Sequence, residues 1–123
     1  MTISEAISQV NDLKPNYYSD DHKIRWLSRL DTQIRKEIID THEDAPEEVF
    51  AGYDSQTNTN TELLVPEPYD EVYIHWLGAQ IDMNNAEYEK FNNDNALFAA
   101  AYKAYASAYN REHMPKSTKV NYY

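Results

Sequence analysis

Apolar residues recur at helical spacing on both sides of a stretch, Thr41 to Pro68, in which that spacing disappears. Pro46, Gly52, Pro66 and Pro68 punctuate this stretch, which is longer and more polar than an ordinary connection in a small domain. With 123 residues the chain has room for one domain and one modest core. The predicted fold class is therefore mainly α: a small bundle of about four helices, with a long irregular or β-hairpin arm between the second and third.

Thr2 and Glu5 form a capping-box pattern, and Ile3, Ala6, Ile7, Val10 and Leu13 then share one face, so a first helix should end before Pro15. Ser19 with Asp20 and Asp21 starts a second, whose apolar face runs through Ile24, Leu27, Ile34 and Ile38, widened by Trp26 and Leu30. It should reach about Asp40 and display Lys23, Arg25, Arg29, Arg35 and Lys36 on its polar side. Val49 to Tyr53 and Glu62 to Val65 are β-capable runs separated by the polar stretch Asp54 to Thr61, the basis for a loose hairpin arm with a mobile tip. Helical signals resume at Pro68-Tyr69-Asp70-Glu71, and Val72 to Met83 is apolar around much of the cylinder, as suits a helix at the centre of a bundle. The asparagines from Asn92 to Asn95 predict a break after Phe91, followed by a last helix from Ala96 to about Arg111. Phe98, Tyr102, Tyr105 and Tyr109 give that helix an aromatic stripe beside the small residues Ala101, Ala104 and Ala108. The domain is expected to span residues 1–113, with 114–123 as a basic and aromatic tail.

Charge divides the chain differently. Between Glu37 and Glu89 stand fourteen Asp and Glu and no Lys or Arg, while all eleven basic residues lie in the flanks. The middle section thus carries −14 and the flanks +4. A surface of that sign repels the DNA polyanion, so it suits a protein that sits near DNA without gripping it, or one that meets a basic partner. No cysteine is present, which removes disulfides, thiolate metal sites and thiol nucleophiles. No apolar run approaches the ~20 residues of a membrane span, and no signal peptide is expected at Met1.

Motifs for chemistry are weak. Asp54, Thr57, Asn58 and Asn60 cluster oxygen ligands, yet the glycine turn and terminal glutamate of a calcium loop are missing, and a solvated face is the stronger reading. Glu71 and His75 stand four apart on a helix, where a surface contact outweighs acid-base work. His22, His42 and His113 have no partner at ligand spacing. Two glycines cannot furnish a phosphate-cradling loop, and the aromatic stripe of the last helix reads as core before it reads as a base-stacking platform. No enzyme activity, cofactor or metal is expected.

The run Leu63-Leu64-Val65-Pro66-Glu67-Pro68-Tyr69-Asp70-Glu71-Val72-Tyr73-Ile74-His75-Trp76-Leu77, with Lys23-Ile24-Arg25-Trp26-Leu27 upstream and Tyr105-Ala106-Ser107-Ala108-Tyr109-Asn110 downstream, resembles small proteins of phages and prophages of gut Firmicutes. These look like the head-tail connector, or neck adaptor, proteins of long-tailed bacteriophages. The resemblance covers most of the chain and rests on packing and loop signatures. It implies a structural virion protein at the head-tail interface, assembled in the bacterial cytoplasm as a homo-oligomeric ring of about twelve copies beneath the portal protein, through which DNA passes. Portal protein and neighbouring neck or tail proteins are the implied partners. Under that reading Glu47, Glu48, Asp54 and Glu62 belong to an arm facing the channel or a neighbouring subunit. Arg25, Arg29 and Arg35 are candidates for the subunit interface, and Lys116, Lys119, Tyr122 and Tyr123 for a tail that docks on the portal or another partner. The alternatives are a different neck or tail-completion role, or a soluble acidic interaction module of the DNA-mimic type. A metal-dependent enzyme using His75 and nearby carboxylates is the remaining and weakest reading.

Overall fold

The computed structural model describes residues 1–116 and is mainly helical. Four α-helices occur among those residues: α1 Ile3–Leu13, α2 Asp20–Glu37, α3 Val72–Asn84 and α4 Tyr88–Glu112, with a 3₁₀ turn, Ile39–Thr41, after α2. The capping box forms as expected, with Thr2 Oγ1 accepting from Glu5 N and Glu5 Oε1 accepting from Thr2 N. Ser19 caps α2 through His22 N, with two acids in the first turn and Arg35 and Lys36 in the last, where each sign opposes the helix dipole.

Helix α3 is the central element: it contacts α1, α2 and α4 and buries Val72, Tyr73, Leu77, Gly78, Ala79, Ile81 and Asp82. Ile3, Ala6, Ile7 and Val10 of α1 and Ile24, Leu27, Leu30 and Ile34 of α2 close over it. Helix α4 returns along α3, but only Tyr105 and Ala108 of its 25 residues are fully buried. No helix among the described residues is long and apolar enough to cross a membrane.

Three expectations need correction. The helix break lies at Asn85-Ala86-Glu87, ahead of the asparagine run, and Asn92, Asn93 and Asn95 sit on the exposed side of α4. Glu87 N donates to Asp82 O and Ala86 N to Met83 O, the paired bonds that close a helix through a left-handed residue, here Ala86 at φ 58°. An exposed helix face tolerates poor helix formers, whereas the donors and acceptors at this turn terminate α3. Secondly, Lys23 is buried. Its stem lies along the core and its Nζ donates to Tyr18 O at 2.8 Å, tying the chain entering α2 to the helix itself.

Thirdly, the described residues contain no β-strand. Thr2 with Glu62 and His42 with Pro115 form isolated bridges only. The segment between the 3₁₀ turn and α3 is laid over the bundle as a strap, with Leu63 and Val65 in the core. Its backbone groups bond to helices in place of each other: Thr61 O and Thr59 O accept from Ile3 N and Ser4 N, the otherwise unsatisfied first-turn donors of α1. The polar tip is pinned by these bonds and by turns at Asp54 to Thr57 and Asn58 to Thr61. Gly52, at φ 78°, lies where a Cβ would sit 2.6 Å from Ser28 Oγ, so the strap crosses α2 at a position that excludes a side chain.

Candidate functional site

A buried carboxylate anchors the strap. Asp31 lies on the apolar face of α2 with no exposure, accepting from Tyr53 OH at 2.5 Å, Tyr73 OH at 2.6 Å and Leu64 N at 3.0 Å. Tyr73 OH in turn accepts from Val65 N at 2.7 Å. Burial pushes the Asp31 carboxyl up against the opposing pull of its three donors, and burial next to that carboxylate drives both phenols well above their usual range. Closed to solvent and fully hydrogen-bonded, this group is a structural tie between α2, the strap and α3. Sequence reasoning missed it, although an aspartate among Leu27, Leu30 and Ile34 was a visible signal.

A second polar cluster joins three helices. Lys14 Nζ, at the end of α1, lies 3.0 Å from Asp82 of α3 and 3.0 Å from Asp94 of α4. Asp94 Oδ2 is buried, and among the described residues that ammonium is the one cation paired with it. Burial lowers the Lys14 ammonium, but the bonds from Asp94 and Asp82 outweigh it and leave it raised; Asp82 is raised by burial and by the nearby Asp94. Gly78 makes the space, since a Cβ there would stand 3.1 Å from Asp94 Oδ2 and 3.2 Å from Lys14 Cε.

The expected acidic residues are on the surface. Glu47, Glu48, Asp54 and Glu62 are all exposed, and the Asp54 carboxylate accepts from Gln56 N within its own turn. Arg25 and Arg29 are exposed on α2 and make no ion pair among the described residues. Arg35 is used within the chain: Nε donates to Asp40 at 2.7 Å and Nη2 to Pro46 O and Glu48 O, clasping the start of the strap. Beside it opens a cleft of about 660 Å³ walled by Arg35, Lys36, Glu43, Glu47, Glu48 and Lys116. Lys116 N donates to Thr41 O and Glu43 N to Met114 O, so residues 114–116 pair with the chain after α2. Lys119, Tyr122 and Tyr123 lie outside the described residues.

The histidines form no metal site: among the described residues no group of three or more His, Asp or Glu is placed to hold an ion. His42 is buried, with Nδ1 at 2.6 Å from Ile38 O and Nε2 at 2.7 Å from Asn110 Oδ1, and it ties the end of α2 to α4. His113 contacts Asp44 and stacks on Tyr109 with ring centres 3.8 Å apart. Glu71 and His75 share only a backbone hydrogen bond. Near His113 a groove of about 300 Å³ runs between α4 and the strap, with Pro66, Glu67 and Pro68 on one side and Tyr105, Tyr109 and Glu112 on the other.

The cleft beside Arg35 is thus lined mainly by charged side chains, and the groove near His113 mainly by aromatic rings and prolines. Comparison with family models, with curated proteins and with solved structures finds no match for this chain.

Proposed function

We propose that this chain is a structural head-tail connector of a long-tailed bacteriophage, forming a homo-oligomeric ring below the portal through which DNA passes. The observation that carries the reading is the separation of charge over a helical bundle: an acidic strap from which Glu47, Glu48, Asp54, Glu62 and Glu67 project, and exposed Arg25 and Arg29 on α2. Two such faces on one chain suit repeated contact between copies, with the strap of one subunit against α2 of the next. The same strap, turned to a channel, keeps DNA from adhering. The resemblance through Leu63 to Leu77 and across the last helix supports the virion role.

Replacing Glu47, Glu48 and Asp54 by Gln, Gln and Asn tests both uses of the strap. Loss of the ring in assembled particles assigns the acids to the neighbouring subunit, and intact rings with slowed DNA ejection assign them to the channel. Truncation after Lys116 should leave the bundle folded, because the pairing of 114–116 with Thr41 to Glu43 is retained, while docking of the tail on the portal or another partner is lost. A chain absent from virions that instead binds a basic protein in a salt-sensitive manner would replace this reading with the DNA-mimic type of module, which the same acidic surface favours.

A further inference from the structure

The groove between α4 and the strap has properties that the bundle does not use. Tyr18, Tyr53, Tyr73 and Tyr102 each spend their hydroxyl on an acid or an amide within the chain. Tyr69, Tyr105 and Tyr109, which line the groove, make no hydrogen bond through theirs among the described residues. Tyr105 is only 4% exposed, yet its hydroxyl is not a buried unpartnered atom, so this polar end keeps its contact with water and is free to take a partner. Rings of Tyr69, Tyr105, Tyr109 and His113 stand in sequence along the wall, Tyr69 to Tyr105 at 6.2 Å and Tyr105 to Tyr109 at 5.8 Å between centres. At the rim, Glu67 and Glu112 are exposed and make no ion pair among the described residues. Aromatic walls, idle hydroxyls and two carboxylates match an extended peptide that offers backbone amides, an aromatic or aliphatic anchor and lysines.

Residues 114–123 of this chain have that composition: Lys116 and Lys119, no Asp or Glu, and Val120, Tyr122 and Tyr123 as anchors. The chain leaves its own groove at His113, pairs with Thr41 to Glu43, and delivers Lys116 to the wall of the separate cleft beside Arg35. From there seven residues extend at most about 25 Å, enough to reach an adjoining molecule. We infer that the groove formed by Tyr69, Tyr105, Tyr109 and His113, with Glu67 and Glu112 at its rim, receives residues 116–123 of a second copy of this chain. The contact is head to tail, each copy giving a tail and accepting one, which generates a closed ring when the rotation between copies closes. The inference deepens the ring reading above and rests on it for closure only.

Sedimentation velocity on the full chain over a range of concentrations tests it, using wild type, E67K/E112K, K119E and an equimolar mixture of the two variants. All three altered positions are exposed or outside the described residues, and circular dichroism confirms that each variant is folded. Wild type should associate as concentration rises, and each variant alone should associate about tenfold more weakly. The mixture should restore association, because every joint in an alternating assembly then pairs opposite charges. Association unchanged in both variants would overturn the groove assignment while leaving a ring built through α2 and the strap. A wild type that stays monomeric at every concentration also overturns it, and imaging of the virion neck then decides the ring reading separately. Equal weakness in the mixture and in the single variants excludes direct pairing of tail and rim.

Discussion

Asp31 illustrates how one buried charge can organise a long irregular segment. Three donors converge on it from two separate parts of the chain, Tyr53 and Leu64 from the strap and Tyr73 from α3. The phenols it holds carry a stability signature with a definite sign. Tyr73 is raised far above its ordinary 10.0 in the folded chain, so the unfolded chain loses this proton first. Its contribution is fully present below pH 10, and from there each pH unit should remove about 1.4 kcal/mol of unfolding free energy. Tyr73→Phe should be less stable than wild type by about 1 kcal/mol at pH 7, with Val65 N–H unpaired, and should lose this part of the alkaline slope. Urea titrations between pH 7 and 11 measure both effects, and an unchanged slope in the variant would remove Tyr73 as its source.

At the scale of elements, the two ends of α3 decide how the bundle closes. Ala86 occupies a left-handed position that glycine fills without steric cost. Ala86→Gly should therefore stabilise the chain by about 1 kcal/mol, seen as a higher midpoint in urea at unchanged m-value. The missing glycine is also why the end of α3 was illegible in the sequence: its usual marker is absent, and the asparagines that stood in for it belong to the exposed side of α4. Beginnings were more legible, since Thr2 and Ser19 cap through side chains, a short-range interaction that the sequence displays directly. Where α1, α3 and α4 converge, Lys14→Met leaves Asp82 and Asp94 facing each other with no cation. The loss should be about 3 kcal/mol at pH 7. It should shrink on acidification, because Asp82, whose carboxyl burial holds above its ordinary range, disfavours the fold only as it ionises. Equal losses at pH 7 and pH 4 would show that Lys14 acts through packing alone.

Across the whole molecule, the sequence pattern specified four helices and the identity of the central one, because burial on all sides of α3 is written in its composition. It did not specify the course of the strap. Leu63 and Val65 could equally have paired with Val49 to Tyr53; what drew them inward were Asp31, Ser28 and the open end of α1, all distant in sequence. Surface features followed the same division. Exposure of Glu47, Glu48 and Asp54 was legible from charge, whereas Arg35 turned inward because carbonyls at Pro46 and Glu48 came within its reach. The groove on α4 was not legible at all, since it exists only where Pro66 to Tyr69 come to lie beside Tyr105 and Tyr109.

The capping of α1 by Thr59 and Thr61 has a kinetic side. The first helix is contiguous in sequence and short, yet two of its opening amides are satisfied from beyond residue 58. An isolated helix of this length is marginal in water. Its opening turn is therefore secured only when the strap as far as Thr61 is seated, although the helix precedes that segment in the sequence. Native-state hydrogen exchange should find the amides of Ile3, Ser4 and Leu64 opening together, with a common free energy below that of the α2 and α3 core.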